Sequence, residues 1–197
     1  MKRICVFAGS SAGARSSYRK AAEELGRTLA QRGLGVVFGG GRVGLMGVLA
    51  DAALGAGGEV IGVIPKFLKN REHMMTRGKV IVTRDMHERK LRMFEQADAF
   101  VALPGGIGTL EELVEQMTWV QLGRHKKPIA LANVNKFWDP LCALLNHMQE
   151  LRFIRSGLEV NYLVAERVED ILPMLTKAAA ALSEADKAMT AVNVEQM

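Results

Sequence analysis

The sequence predicts a single α/β domain built on a doubly wound parallel sheet with helices on both faces. Three observations predict it. Short β-branched runs alternate along the chain with segments of helical apolar spacing, the pattern of repeated βαβ units. Several of the strand-like runs end in glycine or serine clusters just before the next helix. The length of 197 residues, with 49% hydrophobic and 24% charged residues, suits one ordinary domain.

Arg3 to Ala8 is a short apolar run that meets Gly9-Ser10-Ser11, and it reads as a buried first strand. Between Tyr18 and Gln31 the residues Ala21, Ala22, Leu25, Leu29 and Ala30 keep helical spacing, and Gly33 closes that helix as a C-terminal cap would. Leu34 to Phe38 is the second strand and ends in Gly39-Gly40-Gly41. Leu45 to Leu54 reads as a helix ended by Gly55 to Gly58, and Glu59 to Ile64 as a third strand stopped by Pro65. Lys66 to Gly78 is polar and basic, a loop with a short helix. Lys79 to Thr83 is a strand and Met86 to Gln96 a helix. Ala99 to Leu103, Leu110 to Leu122, Pro128 to Ala132 and Phe137 to Leu151 continue the strand–helix alternation. A last strand near Tyr162 to Ala165 precedes a helix from Val168 to Leu182. The expected domain is therefore residues 1–182, with 183–197 a peripheral or frayed tail.

Lys2, Arg3 and Ala12-Gly13-Ala14 imitate a secretory leader, but Ile4 to Ala8 is too short for its apolar core. No apolar run approaches the roughly 18 residues of a membrane span. Cys5 and Cys142 form no CxxC pair, so neither a disulfide framework nor a thiolate metal site is expected. His73, His87, His125 and His147 lack ligand spacing, and no metal is expected. The expectation is a cytoplasmic protein that meets neither membrane nor nucleic acid. The net charge of +5 lies in one stretch: Lys66 to Arg92 holds nine Lys/Arg against three Asp/Glu. Phe67 is its only aromatic, with Phe94 two residues beyond, which leaves no stacking platform for nucleic acid and favours a small phosphorylated substrate.

Right-handed crossovers put all strand carboxyl ends on one edge, where ligands of such sheets bind. Three glycine-rich turns fall there: Gly9 to Gly13, Gly39 to Gly47, and Pro104 to Thr109. Ser10, Gly39, Gly40 and Gly105 are their candidate substrate contacts. Glycines let backbone amides approach an oxyanion, and the helix that follows adds its positive end. Gly39-Gly40-Gly41-Arg42-Val43-Gly44 satisfies GxGxxG with Glu59 about 20 residues on, as a dinucleotide fingerprint asks. Glu59 opens its strand, however, on the edge away from the ligand, so NAD is disfavoured. Amides from Gly106 to Thr109 would form an anion nest at a helix start. Thr109 and Glu112 also have the Thr-x-x-Glu spacing of a capping box, a rival and purely structural reading. Asp85-Met86-His87-Glu88-Arg89-Lys90 starts a helix near the same edge, either as a source of cations for the ligand or as a solvated face capped by Asp85.

Taken together, Gly39 to Gly47, Asp85 to Lys90 and Pro104 to Glu112 resemble the LOG ("Lonely guy") family of cytokinin riboside 5′-monophosphate phosphoribohydrolases. The PGGxGTxxE motif is intact, with Ile107 at its variable position and Glu112 as its final acid. The resemblance runs from about Arg3 to about Ala180. It implies a Rossmann-like fold, a homodimer, and hydrolysis of an N-glycosidic bond without metal or other cofactor. AMP or an N6-substituted AMP would give free base and ribose 5-phosphate. By match to the motifs, Arg89 and Glu112 are the implied catalytic pair. Glu72, Met86, Lys90, Gly106, Ile107, Gly108, Thr109, Leu110, Glu111 and Thr118 are implied substrate contacts. Asn70 ahead of Arg71-Glu72, and the bulky basic run His73 to Arg77, depart from the family pattern. Such sequences have also carried the label "lysine decarboxylase"; no lysine context here suggests a pyridoxal phosphate Schiff base, and that reading is rejected.

Cleavage would pass through an oxocarbenium-like ribosyl cation. An ionised Glu112 would stabilise it and orient or deprotonate the attacking water. Arg89 would keep Glu112 ionised and placed, or contact ribose or phosphate. No residue is singled out as the acid for the leaving base. A non-catalytic nucleotide-binding or sensing module is the alternative that the same cradle allows.

Overall fold

The computed structural model describes residues 1–71, 73–155 and 157–195. Seven strands, β1 (Arg3–Phe7), β2 (Gly35–Phe38), β3 (Val60–Pro65), β4 (Lys79–Thr83), β5 (Ala99–Ala102), β6 (Ile129–Ala132) and β7 (Leu163–Ala165), form one sheet in the order β4-β3-β2-β1-β5-β6-β7. Every pairing is parallel. The chain winds outward from β1 to β4, returns beside β1 as β5, and winds outward the other way. That reversal between β1 and β5 is the topological switch point, where such sheets leave a crevice at their carboxyl ends.

The helices are α1 (Ser16–Gln31), α2 (Gly44–Gly55), α3 (Met86–Gln96), α4 (Ile107–Gln121), α5 (Asp139–Glu150) and α6 (Val168–Glu195). Single 3-10 turns stand at Lys66–Leu68 and Val134–Lys136. Alternation along β1 shows how the core divides: Ile4 and Val6 face one way, Cys5 and Phe7 the other. The first pair packs with Leu25 and Leu29 of α1, Leu49 of α2 and Ile171 of α6. The second packs with Met93 of α3 and Leu113 and Met117 of α4. Each face is therefore sealed by helices, as the apolar strand runs require.

Element edges follow local chemistry. α1 ends where Gly33 takes φ +67°, with Gly33 N donating to Ala30 O and Leu34 N to Leu29 O, both at 2.9 Å. This pairing is a Schellman motif, which needs a residue that tolerates the left-handed region. β4 and α3 have the bounds that the sequence predicts. α4 starts three residues earlier than the spacing predicts, because Ile107 is 81% exposed and adds nothing to an apolar period. Pro65 does not stop β3 but closes it, opposite Thr83 of the edge strand. α6 continues past Leu182 to Glu195. Among the described residues, no helix is long and apolar enough to cross a membrane, and no His/Cys/Asp/Glu group is arranged to hold a metal.

Candidate active site

The three glycine-rich turns meet at the carboxyl edge of the sheet. Gly9 N donates to Pro104 O at 3.2 Å, and Leu45 N donates to Gly9 O at 2.9 Å, so the β1 turn binds both the β5 turn and the start of α2. Gly44 takes φ +59°, and a Cβ there would lie 2.3 Å from the Ser10 carbonyl carbon. Only glycine satisfies both demands. Ser10 itself is exposed at this junction, whereas Gly39 and Gly40 are buried beneath it.

α4 opens without a cap. Its N-cap is Gly106, no side chain bonds to the first amides, and the first turn carries no acid. Intrahelical bonding begins with Leu110 N donating to Gly106 O at 3.0 Å. The amides of Ile107, Gly108 and Thr109 precede that bond at the positive end of a 15-residue helix, beside exposed Gly106, Ile107 and Gly108. This is a ready anion site. The capping-box reading is overturned: Thr109 is the third residue inside the helix, not its N-cap. Thr109 Oγ1 instead occupies the space that a Cβ on Gly105 would fill, 2.1 Å from it. Leu110 is half-buried against the core.

One helical turn on from Thr109, Glu112 points inward. Its Oε1 lies 3.0 Å from Arg89 Nη1, and both residues are buried, 7% and 6% exposed. Arg89 reaches it from the first turn of α3. Asp85 caps that helix by accepting from Glu88 N at 2.8 Å, so the capping reading of Asp85 holds while Arg89 turns away from solvent. Arg89 Nε donates to Val63 O at 3.1 Å, at the carboxyl end of β3, and Met86 Sδ lies 3.8 Å from Nη1. The Val63 carbonyl was invisible in the sequence, because every residue carries one.

Lys90 is held by Glu111 and, at 3.0 Å, by Glu115. Burial works against its charge, but the two carboxylates outweigh it and hold the ammonium above its ordinary range. The basic loop is tied over the same edge: Arg42 N donates to His73 O at 3.1 Å and Met75 N to Gly40 O at 2.9 Å. Thr118 is not brought to the α4 start. It is exposed, its hydroxyl donates to Val114 O at 2.8 Å, and it stands nine residues beyond Thr109, about 13 Å along the axis. Glu72 lies outside the described residues. Glu59 binds Arg3 Nε at 2.8 Å at the opposite edge of the sheet, which removes the acid from the dinucleotide fingerprint.

Comparison with known proteins places the chain in a family. Two cytokinin riboside 5′-monophosphate phosphoribohydrolases of Arabidopsis thaliana are each 51% identical over 154 residues, spanning 78% of this chain and 72% and 71% of the relatives. The chain belongs to the LOG family. A family model described as "Possible lysine decarboxylase" matches residues 46–175, which takes in all of the elements that build the Arg89–Glu112 pair. The LOG fold is shared more widely. The structure of the Moco carrier protein from Chlamydomonas reinhardtii superposes with a TM-score of 0.66 at 23% identity, covering 91% of this chain and 98% of that one.

Proposed function

We propose that this LOG-family chain hydrolyses the N-glycosidic bond of an N6-substituted AMP, or of AMP itself, releasing free base and ribose 5-phosphate. The observation that carries the reading is the buried Arg89–Glu112 pair beside the uncapped start of α4. The 5′-phosphate sits on the amides of Ile107, Gly108 and Thr109, and this remote binding energy serves the reacting centre. Glu112, one turn further in, is the α4 carboxylate that is buried and paired with Arg89. It stabilises positive charge on the ribose as the base departs, and directs water at the anomeric carbon. Arg89 offsets the repulsion between this carboxylate and the phosphate and keeps it charged in a buried setting.

A homodimer belongs to the same proposal. Ile107, Val114, Thr118 and Leu122 form an exposed stripe along α4 and its end, and a second copy covers it. Thr118 then meets substrate only across that interface. The free cysteines Cys5 and Cys142 support a cytoplasmic setting.

The test is incubation with AMP and, separately, N6-isopentenyl-AMP, followed by chromatography for free base and ribose 5-phosphate. Release from either substrate, reduced at least a hundredfold by Glu112→Gln while AMP binding changes only a few-fold, is the expected result. Nucleotide binding with no release from the unaltered protein would return the chain to the alternative, a binding module.

A further inference from the structure

We infer that Gly39 is a positioning residue for Arg89: the side chain missing at the end of β2 is the space in which the guanidinium lies. The inference rests on the proposed catalytic role of the Arg89–Glu112 pair. A Cβ built on Gly39 would stand 2.3 Å from Arg89 Nη2, 3.5 Å from its Cζ and 3.2 Å from Met46 Sδ. A long arginine ordinarily swings away from such a contact. This one has nowhere to go, because Nε is bound to Val63 O, Nη1 to Glu112, and the residue is almost fully buried.

The neighbouring glycine has a different task, which isolates the role of Gly39. Gly40 takes φ +77° and is required by its backbone. Gly39 is absent from the positive-φ residues, so alanine suits its backbone and meets only the guanidinium and, less closely, the Met46 sulfur. Gly39 is also buried, behind Arg89 rather than at the open anion site. Any side chain there displaces the guanidinium from Glu112. The α4 amides that bind phosphate stay where they are.

Gly39→Ala is therefore expected to lower kcat at least tenfold while the affinity for AMP, measured by calorimetry, stays within threefold. A structural readout runs beside the kinetic one. Gly39→Ala lowers the melting temperature of the unaltered protein but not that of the Arg89→Ala/Glu112→Gln double variant, in which the space is free and no buried charge is left unpaired. Equal losses in both backgrounds would overturn the inference. So would unchanged turnover in Gly39→Ala, or a tenfold weaker AMP affinity with kcat intact, which would make Gly39 a substrate contact. If the unaltered protein releases no base, the proposed function fails on its own, and the melting comparison still decides the role of Gly39.

Discussion

Arg89 and Glu112 are an expensive arrangement for a small protein. Replacing a buried ion pair by apolar residues is often neutral or stabilising, whereas removing one partner costs about 3–5 kcal/mol. A pair kept nine-tenths buried, with one partner also tied to a strand carbonyl, points to chemistry rather than to stability. His125 makes the opposite case. It lies against the rings of Phe94 and Phe100, at 5.1 and 5.6 Å, and its Nδ1 accepts from Lys127 N at 3.0 Å. Burial first, and then the charges of Lys127 and Arg124, push its pKa down from 6.5 to about 4. Between those values the unfolded chain binds the proton that the folded protein refuses, so stability falls as the pH drops from 6.5 towards 4. The loss is at most about 2 kcal/mol after allowance for partial solvation. Urea titrations across that window check it, and His125→Gln, which keeps an acceptor for Lys127, flattens the slope. An unchanged slope in that variant would assign the acid sensitivity elsewhere.

At the scale of elements, the start of α4 governs the site. Because the helix begins at Ile107, Thr109 is turned onto Gly105 and Glu112 into the core. Had the capping box formed, Glu112 would have folded back to accept from the Thr109 amide and Arg89 would have lost its partner. Gly108 offers a clean test, since nothing lies within 4 Å of a Cβ built there. Gly108→Asp places a carboxylate in the first helical turn, where it favours the helix by about 0.3–1 kcal/mol while repelling a bound phosphate. The expected result is a melting temperature unchanged or raised, with KM for AMP at least tenfold higher. An unaltered KM would mean that the phosphate binds elsewhere. The sequence marked this turn from its glycines alone, yet misplaced the helix start, because an exposed isoleucine carries no periodic signal.

For the whole molecule, the sheet order sets what can meet. β3 and β5 are separated by β2 and β1, yet the helices after β4 and β5 lie on one face and bring Arg89 within reach of Glu112. On that face, Leu144, Met148 and Leu151 of α5 and its end are exposed, like Ile107, Val114 and Leu122 of α4. Light scattering is expected to give twice the 21.5 kDa chain mass. Leu122→Asp is expected to shift the mass towards one chain, since a charge there loses its hydration on association. A monomeric unaltered protein would remove the homodimer from the proposal.

Much was determined by the sequence alone. Strand and helix alternation specified a parallel, doubly wound sheet, because a two-residue period and a 3.6-residue period are local and legible. The three motifs carried the family resemblance and named Arg89 and Glu112. Only the tertiary structure decided that these two side chains meet, that Lys90 is already bridged to Glu111 and Glu115, and that the Thr118 hydroxyl is spent on the Val114 carbonyl, far along α4 from its start. It alone shows the space at Gly39 filled by an arginine fifty residues away in the chain. The physical reason is range. Periodicity reports which face of an element is buried, but a contact across the sheet depends on where each helix starts and how it docks, and those are set by packing partners far along the chain.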